Sequence, residues 1–223
     1  MSATSAPRTR RTPAPARSRP KRRTKAQRRR TFRRRLALLL AGAVAAAIAI
    51  ALMEPFADKA VQEIALPLRH EDVIRQQAAD KGLDPSLIAG VIYAESRFRD
   101  QTSHAGAKGL MQIMPATADY IAQKSGGTAF EQGDLASPQV NIAYGSWYLR
   151  YLLQHYEGNE LLALAAYNAG EGKVDQWYRE ASARGEDFEA ATHIPFPETR
   201  NYVGSVLEMR SRYREEYGRE LGI

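Results

Sequence analysis

Apolar side chains recur every three to four residues along most of the chain after residue 68, a spacing typical of amphipathic helices. Proline at helix starts and glycine just past helix ends divide this pattern into separate elements. Period-two alternation is rare, and predicts only a short hairpin around residues 100–113. The pattern therefore predicts a mostly α fold with at most a small β element. Predicted helices cover residues 70–81, 115–124, 138–156, 159–170, 171–183 and 198–217, and one more begins at Pro85.

The helix that begins at Pro85 carries a glutamate where its pattern asks for an apolar residue. At about 100° per residue, Leu87, Val91 and Ile92 lie on one face, and Glu95 falls at the centre of that face. A carboxylate placed there loses hydration, which disfavours the ionised form and raises the pKa. Glu95 is therefore either a buried structural carboxylate, held by an arginine or by backbone donors, or an acid kept protonated to deliver a proton.

A different apolar segment, Leu36 to Met53, contains no charged or strongly polar side chain. As a helix it would span about 27 Å, close to the hydrocarbon core of a bilayer at about 30 Å. A cleavable signal peptide is the alternative. The apolar run is longer than a signal core of about 7–15 residues, and a long basic leader precedes it, so the sequence favours an uncleaved transmembrane anchor.

Charge divides the chain at the same place. Residues 1–35 contain fifteen Arg and Lys and no acid, and removing them from the 32 basic residues leaves 17 against 25 acids, a formal charge of −8. The composition predicts a disordered tail, and the positive-inside rule places it in the cytoplasm. Since the remainder would repel phosphate, no specific nucleic-acid partner is predicted.

These observations predict four regions. They are a basic cytoplasmic tail at 1–35, a membrane anchor at 36–53, a linker at 54–67 and a single helical domain at 68–223 that lies outside the cytoplasmic membrane. Everything that the folded domain binds would then be periplasmic or otherwise extracytoplasmic.

The composition also excludes several kinds of chemistry. Cysteine is absent, so disulfides, thiolate nucleophiles and cysteine metal sites are ruled out. No P-loop, GxGxxG, GxSxG or EF-hand pattern occurs, and the four histidines, at 70, 104, 155 and 193, show no close ligand spacing. The sequence therefore predicts no cofactor and no metal.

Aromatic residues line one face of the helix at 138–156. Tyr144, Trp147, Tyr148 and Tyr151 have the spacing of a helix face. Such a face could stack on sugars, but aromatics at this spacing more often belong to a core, so we interpret them as core.

Four short stretches occur in a fixed order: AESRF at 94–98, GLMQIMPATA at 109–118, AAYNAG at 165–170 and ETRNYV at 198–203. Their order and spacing resemble the lytic transglycosylases of the soluble-transglycosylase (SLT) catalytic-domain family, which share a lysozyme-like fold. The resemblance covers roughly residues 70–215.

The resemblance implies both a substrate and a reaction. The substrate would be the glycan strands of peptidoglycan, cut at the MurNAc–GlcNAc β-1,4 bond without net addition of water. One glutamate, here Glu95, would first protonate the departing oxygen, and its carboxylate would then take the proton of the muramic acid C6 hydroxyl, closing a 1,6-anhydro ring.

The resemblance also assigns roles to other residues. Ser96 would bind substrate near the acetamide, and Gln112 would fix the reacting sugar and the acid. Asn168 and Tyr167 would line the cleft, and Tyr202 would place its hydroxyl against the Glu95 carboxyl. Taken alone, Asn168 could be a helix C-cap and Tyr202 a core tyrosine.

Two other functions stay open. A goose-type lysozyme on the same scaffold would need a water held by a second carboxylate, for which Asp100 and Asp119 are the nearest candidates in sequence. A wall-binding scaffold that has lost activity is the non-enzymatic alternative. Partners in the cell-wall machinery are not predictable from the sequence.

Overall fold

The computed structural model describes residues 25–127 and 129–223, and the chain divides into two compact units, residues 1–57 and 58–223. The described residues are mostly helical. The helices are α1 Lys25–Ala65, α2 Glu71–Lys81, α3 Pro85–Ser96, α4 Pro115–Ser125, α5 Pro138–His155, α6 Glu160–Ala169, α7 Glu171–Ala183, α8 Ala190–His193 and α9 Pro197–Leu221.

Helix α1 differs from the predicted organisation at both of its ends. It begins at Lys25, so residues 25–35 of the predicted disordered tail are helical, as the high helix propensity of arginine allows. The rest of that tail, residues 1–24, lies outside the described residues. At the other end the helix continues to Ala65, through most of the predicted linker.

Large apolar side chains of α1, among them Leu38, Leu39 and Leu52, are exposed. Within the part of the chain that the structure describes, no helix has both the length and the hydropathy required to cross a membrane. The anchor at residues 36–53 stays a prediction.

The predicted helices of the second unit begin within one residue of their expected positions, but α9 continues to Leu221, four residues beyond its predicted end. Pro85 occupies the first turn of α3, and the Asp84 side chain accepts a hydrogen bond from the Ser86 N–H at 2.9 Å as its N-cap. The mostly α prediction is confirmed. The predicted hairpin is reduced to two isolated bridges, Thr102 with Lys108 and Lys108 with Ile113. Pattern analysis missed the short helix α8 and a 3-10 turn at Gln132–Ala136.

Helix α3 lies in the core and packs closely against α9. Its residues from Pro85 to Ile92 are all buried. Gly90 permits the contact, because a Cβ there would lie 2.9 Å from the Val206 carbonyl oxygen and 3.1 Å from the Arg210 nitrogen. The helices run antiparallel, so the chain after Gly90 and the chain before Val206 lie side by side, which brings Glu95 opposite Tyr202.

Ion pairs connect α3 and α9 at the end of their contact where α3 begins. One carboxylate oxygen of Asp84 accepts from Arg210 at 2.9 Å and from Arg214 at 2.7 Å. Burial acts to raise the pKa of Asp84, but the hydrogen bonds from Ser86 and the two arginines outweigh it and lower the pKa to about 2. Asp84 therefore stays ionised, and the ion pairs persist, until the pH falls to about 2.

Three tyrosine hydroxyls hold the segment that enters the second unit. Tyr93 donates to the carbonyl of Ala65 at 3.3 Å, Tyr217 to that of Leu66 at 2.8 Å and Tyr213 to that of Pro67 at 2.6 Å. The Leu66 side chain is buried in the core. These consecutive carbonyls are thus attached to α3 and α9 at once.

Candidate active site

Glu95 lies in the last turn of α3, where the buried helix reaches the surface. Burial raises the pKa of its carboxyl, and a contact with Tyr202 partly offsets the rise, leaving a pKa of about 7. The carboxyl is therefore about half protonated at neutral pH, whereas an ordinary glutamate is almost fully ionised. A glutamate in this state can donate a proton, which is one of the two interpretations that the helical pattern left open.

The chain leaves α3 through two left-handed residues. Arg97 and Phe98 have φ angles of 52° and 59°, each costing about 1–2 kcal/mol for a residue with a Cβ. Burial of the Phe98 ring, whose centroid lies 5.8 Å from that of Tyr213, offsets this cost. The helix consequently ends at Ser96, one residue after Glu95.

The Tyr202 hydroxyl faces the Glu95 carboxyl from α9. Burial raises the pKa of Tyr202 well above its usual value, and the charge of Glu95 adds to the rise. The hydroxyl is buried and has no partner at ordinary hydrogen-bond geometry among the described residues. The contact with Glu95 is therefore loose, and it leaves this hydroxyl free to bond more tightly once a ligand shifts either side chain.

Tyr167 approaches Glu95 from a third element, α6. Its hydroxyl donates to the Met111 carbonyl at 3.1 Å. Burial raises the pKa of Tyr167, and the charge of Glu95 is the next cause. The structure thus brings Glu95, Tyr167 and Tyr202 together, and their roles toward substrate stay predictions.

Gln112 belongs to the tight loop that follows α3. Its φ is 48°, and its Nε2 donates to the Gly109 carbonyl at 2.7 Å and to the Gln101 carbonyl at 3.0 Å. In the free protein this amide shapes the loop. The predicted contact of Gln112 with the reacting sugar stays a prediction.

Asn141 on α5 fixes that loop and was missed in the sequence. Its Oδ1 accepts from the Met111 N–H at 2.8 Å, and its Nδ2 donates to the carbonyls of Lys108 at 2.9 Å and Leu135 at 3.1 Å. The side chain is fully buried. The sequence does place this asparagine on the buried side of α5, and a buried polar side chain needs hydrogen-bond partners, so its position could have revealed its role.

Two glycines allow the loop to lie this close to α5. Gly109 has a φ of 75°, and a Cβ there would lie 2.1 Å from Nδ2 of Asn141. A Cβ at Gly145, one turn after Asn141, would lie 2.3 Å from the Met111 sulfur. The backbones of the loop and of α5 therefore lie too close together for a side chain at either glycine.

Ser96 and Asn168 have other partners in the free protein. The Ser96 hydroxyl is buried and donates to the Ile92 carbonyl at 3.2 Å. The Asn168 Oδ1 accepts from the Thr199 hydroxyl at 2.8 Å, which links α6 to α9. Gly170, not Asn168, is the C-cap residue of α6. Their predicted contacts with substrate stay predictions.

The aromatic face of α5 continues from Tyr167. The Tyr148 ring lies 5.5 Å from that of Tyr167, and Tyr151 stacks on Tyr148 at 6.0 Å and on Trp147 at 5.7 Å. These rings are partly buried and pack against the core, in agreement with their interpretation as core residues.

Neither candidate for a second carboxylate acts on Glu95. Asp100 and Asp119 are exposed, and Asp119 accepts a hydrogen bond from Gln132 at 2.6 Å. Two causes determine the pKa of Glu95 among the described residues: burial, which raises it, and the side chain of Tyr202, which lowers it. Neither aspartate is among the causes of the raised Glu95 pKa.

Residues 72–188 match the family described as Transglycosylase SLT domain. The chain belongs to this family. The soluble lytic murein transglycosylase of Escherichia coli (strain K12) is 34% identical over 154 residues, which cover 68% of this chain and 24% of that relative. The membrane-bound lytic murein transglycosylase C of Actinobacillus pleuropneumoniae serotype 5b (strain L20) is 32% identical over 162 residues, covering 63% of this chain and 44% of that relative.

Solved structures agree with the fold. The 70 kDa soluble lytic transglycosylase of Escherichia coli matches with a TM-score of 0.64 and 34% identity, over 70% of this chain and 26% of that one. An inactive glutamate-to-glutamine mutant of the lytic transglycosylase Slt from Pseudomonas aeruginosa matches with a TM-score of 0.63 and 35% identity, with the same coverage, 70% and 26%. The chain thus spans about a quarter of these proteins, 26% of each.

We predict that Asn141→Ala destabilises the second unit by about 2–4 kcal/mol, because it removes the partners of the Met111 N–H and the Leu135 carbonyl, while the Lys108 carbonyl keeps only its bond from the Ile113 N–H. Urea unfolding followed by circular dichroism measures the change. Gln139→Ala, an exposed position on the same helix, is the matched control and should change stability little. Equal stability of the two variants would show that Asn141 does not hold the loop.

Proposed function

We propose that the protein is a peptidoglycan lytic transglycosylase that cleaves the MurNAc–GlcNAc β-1,4 bond and leaves 1,6-anhydromuramic acid ends. The observation that carries the proposal is Glu95, a partly buried carboxyl with a pKa of about 7 that two tyrosines face. Family membership and relatives named as lytic murein transglycosylases support the substrate class.

In the proposed reaction Glu95 acts twice. Its proton moves to the glycosidic oxygen as the bond from that oxygen to C1 of MurNAc breaks, while the N-acetyl group of the sugar supports the positive charge at C1. The C6 hydroxyl oxygen then bonds to C1, and its proton returns to the Glu95 carboxylate. No water is consumed, and the enzyme ends in its starting protonation state.

The surrounding residues would position the acid and the sugar. Tyr202 has an unsatisfied hydroxyl beside the carboxyl, so it can steady the carboxylate formed in the first step. Tyr167 joins the cleft to the loop of Gln112 through the Met111 carbonyl. While its hydroxyl donates to the Ile92 carbonyl, Ser96 would meet substrate as a hydrogen-bond acceptor.

The surroundings of Glu95 favour this reaction over hydrolysis. A lysozyme-type hydrolase would need a water activated by a second carboxylate, and neither Asp100 nor Asp119 acts on the Glu95 carboxyl. A non-catalytic scaffold would have no use for an acid with a raised pKa. The Pseudomonas relative becomes inactive when one glutamate is replaced by glutamine, which agrees with a single essential glutamate.

We predict 1,6-anhydromuramoyl products, identified by mass spectrometry after incubation with purified glycan strands in water labelled with heavy oxygen. Glu95→Gln should lower turnover by about 10²–10⁴-fold, because the amide can neither donate nor accept the proton. Its circular dichroism spectrum should match that of the wild type. Labelled reducing-end MurNAc would establish a hydrolase, and a folded glutamine variant with near-normal turnover would contradict the assigned role of Glu95.

We predict that activity falls as the pH rises through about 7, where the Glu95 proton is lost. Tyr202→Phe removes a contact that lowers this pKa, so the alkaline limb should move to higher pH. Tyr213→Phe, which instead loses a bond to Pro67, should leave the limb unchanged. An unmoved limb in Tyr202→Phe would show that the two groups do not interact.

The same pKa affects stability. Because the folded-state pKa lies above the ordinary 4.5, the ionised carboxylate is disfavoured by folding, and Glu95 lowers stability as the pH rises between these values. Glu95→Gln should therefore stabilise the protein at a pH of about 8 and change little at about 5. Melting curves at both pH values measure the difference.

We further propose that residues 36–53 anchor the protein in the cytoplasmic membrane, with the second unit in the periplasm or extracytoplasmic space. The uncharged apolar run, its exposed leucines and the fifteen basic residues before it support this arrangement. A relative named as a membrane-bound lytic murein transglycosylase agrees with membrane association.

We predict that an impermeant maleimide labels Ser182→Cys in intact spheroplasts and labels Ser5→Cys only after lysis. The chain contains no cysteine, so each variant reports one position. Ser182 is exposed, and both variants should label equally in detergent as the control. The reverse pattern would overturn the orientation, and release of the chain by alkaline carbonate would overturn the anchor.

A further inference from the structure

A second group of chemically capable side chains lies where the end of α5 meets the start of α7. His155, Glu171 and Asp175 each offer one ligand atom within 4.8 Å of the other two. His155 is in the last turn of α5, and the two acids are one helical turn apart on α7. The spacing of histidines in the sequence did not predict this group, because its members come from different helices.

The group of His155, Glu171 and Asp175 contains two carboxylates and only one side chain that can carry a positive charge. Among the described residues, the ion pairs of both acids involve His155 alone, at 3.1 Å from its Nε2 to Asp175 and 3.8 Å from its Nδ1 to Glu171. Lys173, which lies between the acids in sequence, is instead placed over the Phe196 ring at 5.2 Å. With a neutral imidazole the group carries two negative charges, which favours a bound cation.

Tyrosine hydroxyls orient both carboxylates. Tyr156 donates to Oδ1 of Asp175 at 3.0 Å, and Tyr151 donates to Oε1 of Glu171 at 3.3 Å. Such bonds are typical of the carboxylate ligands of metals, whose outer oxygen bonds fix their direction. The other oxygen of each acid has no hydrogen-bond partner in the described part of the chain, and so is available to a ligand.

The site also has room for water ligands. A cavity of about 400 Å³ borders it, with His155, Tyr156, Asp175 and Tyr178 among its walls. The three protein ligands would leave one open position on a four-coordinate ion, and a water in this cavity would fill it.

We propose that His155, Glu171 and Asp175 bind one divalent ion of the zinc type, which joins α5 to α7. One imidazole nitrogen with two carboxylate oxygens suits zinc better than calcium or magnesium, which prefer oxygen alone. Bonds of about 2.0–2.2 Å set ligand atoms about 3.3–3.6 Å apart. The ligand atoms now lie within 4.8 Å of one another, so the widest separation must shrink by about 1 Å to reach this spacing. The three side chains are all partly exposed, which allows this movement.

The test uses the full-length chain in detergent, freed of metal with a chelator and titrated with zinc chloride by calorimetry. We expect one zinc per chain and a rise in the melting temperature, with no rise from magnesium or calcium at equal concentration. His155→Ala and Asp175→Asn should abolish binding, and Tyr156→Phe should weaken it by about 10-fold or more. His104→Ala, an exposed histidine elsewhere, should bind as the wild type does.

Absence of binding at millimolar zinc would overturn the proposal and leave a histidine bridging two acids. Zinc binding that survives both His155→Ala and Asp175→Asn would also overturn it, because the ion would lie elsewhere. Asp175→Asn preserves the shape of the side chain, and the melting temperatures of the metal-free variants show whether each is folded before binding is compared.

Discussion

The close antiparallel contact of α3 and α9 at Gly90 is the constraint on which the site depends. A side chain at this position would meet the backbone of α9, so the glycine lets the two helices approach closely. Glu95 lies five residues after the contact and Tyr202 four residues before Val206 on the opposing helix. At about 1.5 Å per residue, both are about 6–8 Å from the crossing and on the same side of it. The pairing of acid and hydroxyl thus follows from helix geometry.

The chemistry of Glu95 follows from where its helix ends. The eight residues from Leu87 to Ala94 are buried or partly buried, while the left-handed residues Arg97 and Phe98 end the helix at the surface. The carboxyl is therefore poor in solvent yet partly exposed. On α5, Asn141 accepts from the Met111 N–H of the tight loop at residues 109–113, and Gly109 and Gly145 let that loop lie against the helix.

Local signals were enough to predict most helices and Glu95 itself, because proline, glycine and a periodic apolar face act within one helical turn. Positions that depend on contacts between helices were harder to predict. Asn141 resembles any polar residue on a helix until its three partners are known, and the Ser96 hydroxyl turns back to Ile92 within its own helix. The group of His155, Glu171 and Asp175 has no spacing signature, since its members come from different helices, α5 and α7. The motif resemblance supplied Tyr167 and Tyr202, which periodicity alone would have assigned to the core.

The three hydroxyls bonded to the carbonyls of residues 65–67 have a mechanical consequence. Tyr93 lies two residues before Glu95 on α3, and Tyr213 and Tyr217 lie on α9, the helix of Tyr202. A force applied to the chain at Ala65 would therefore be transmitted to both helices through these three hydrogen bonds. The pair of helices that carries Glu95 and Tyr202 is also the pair to which the entering chain is attached.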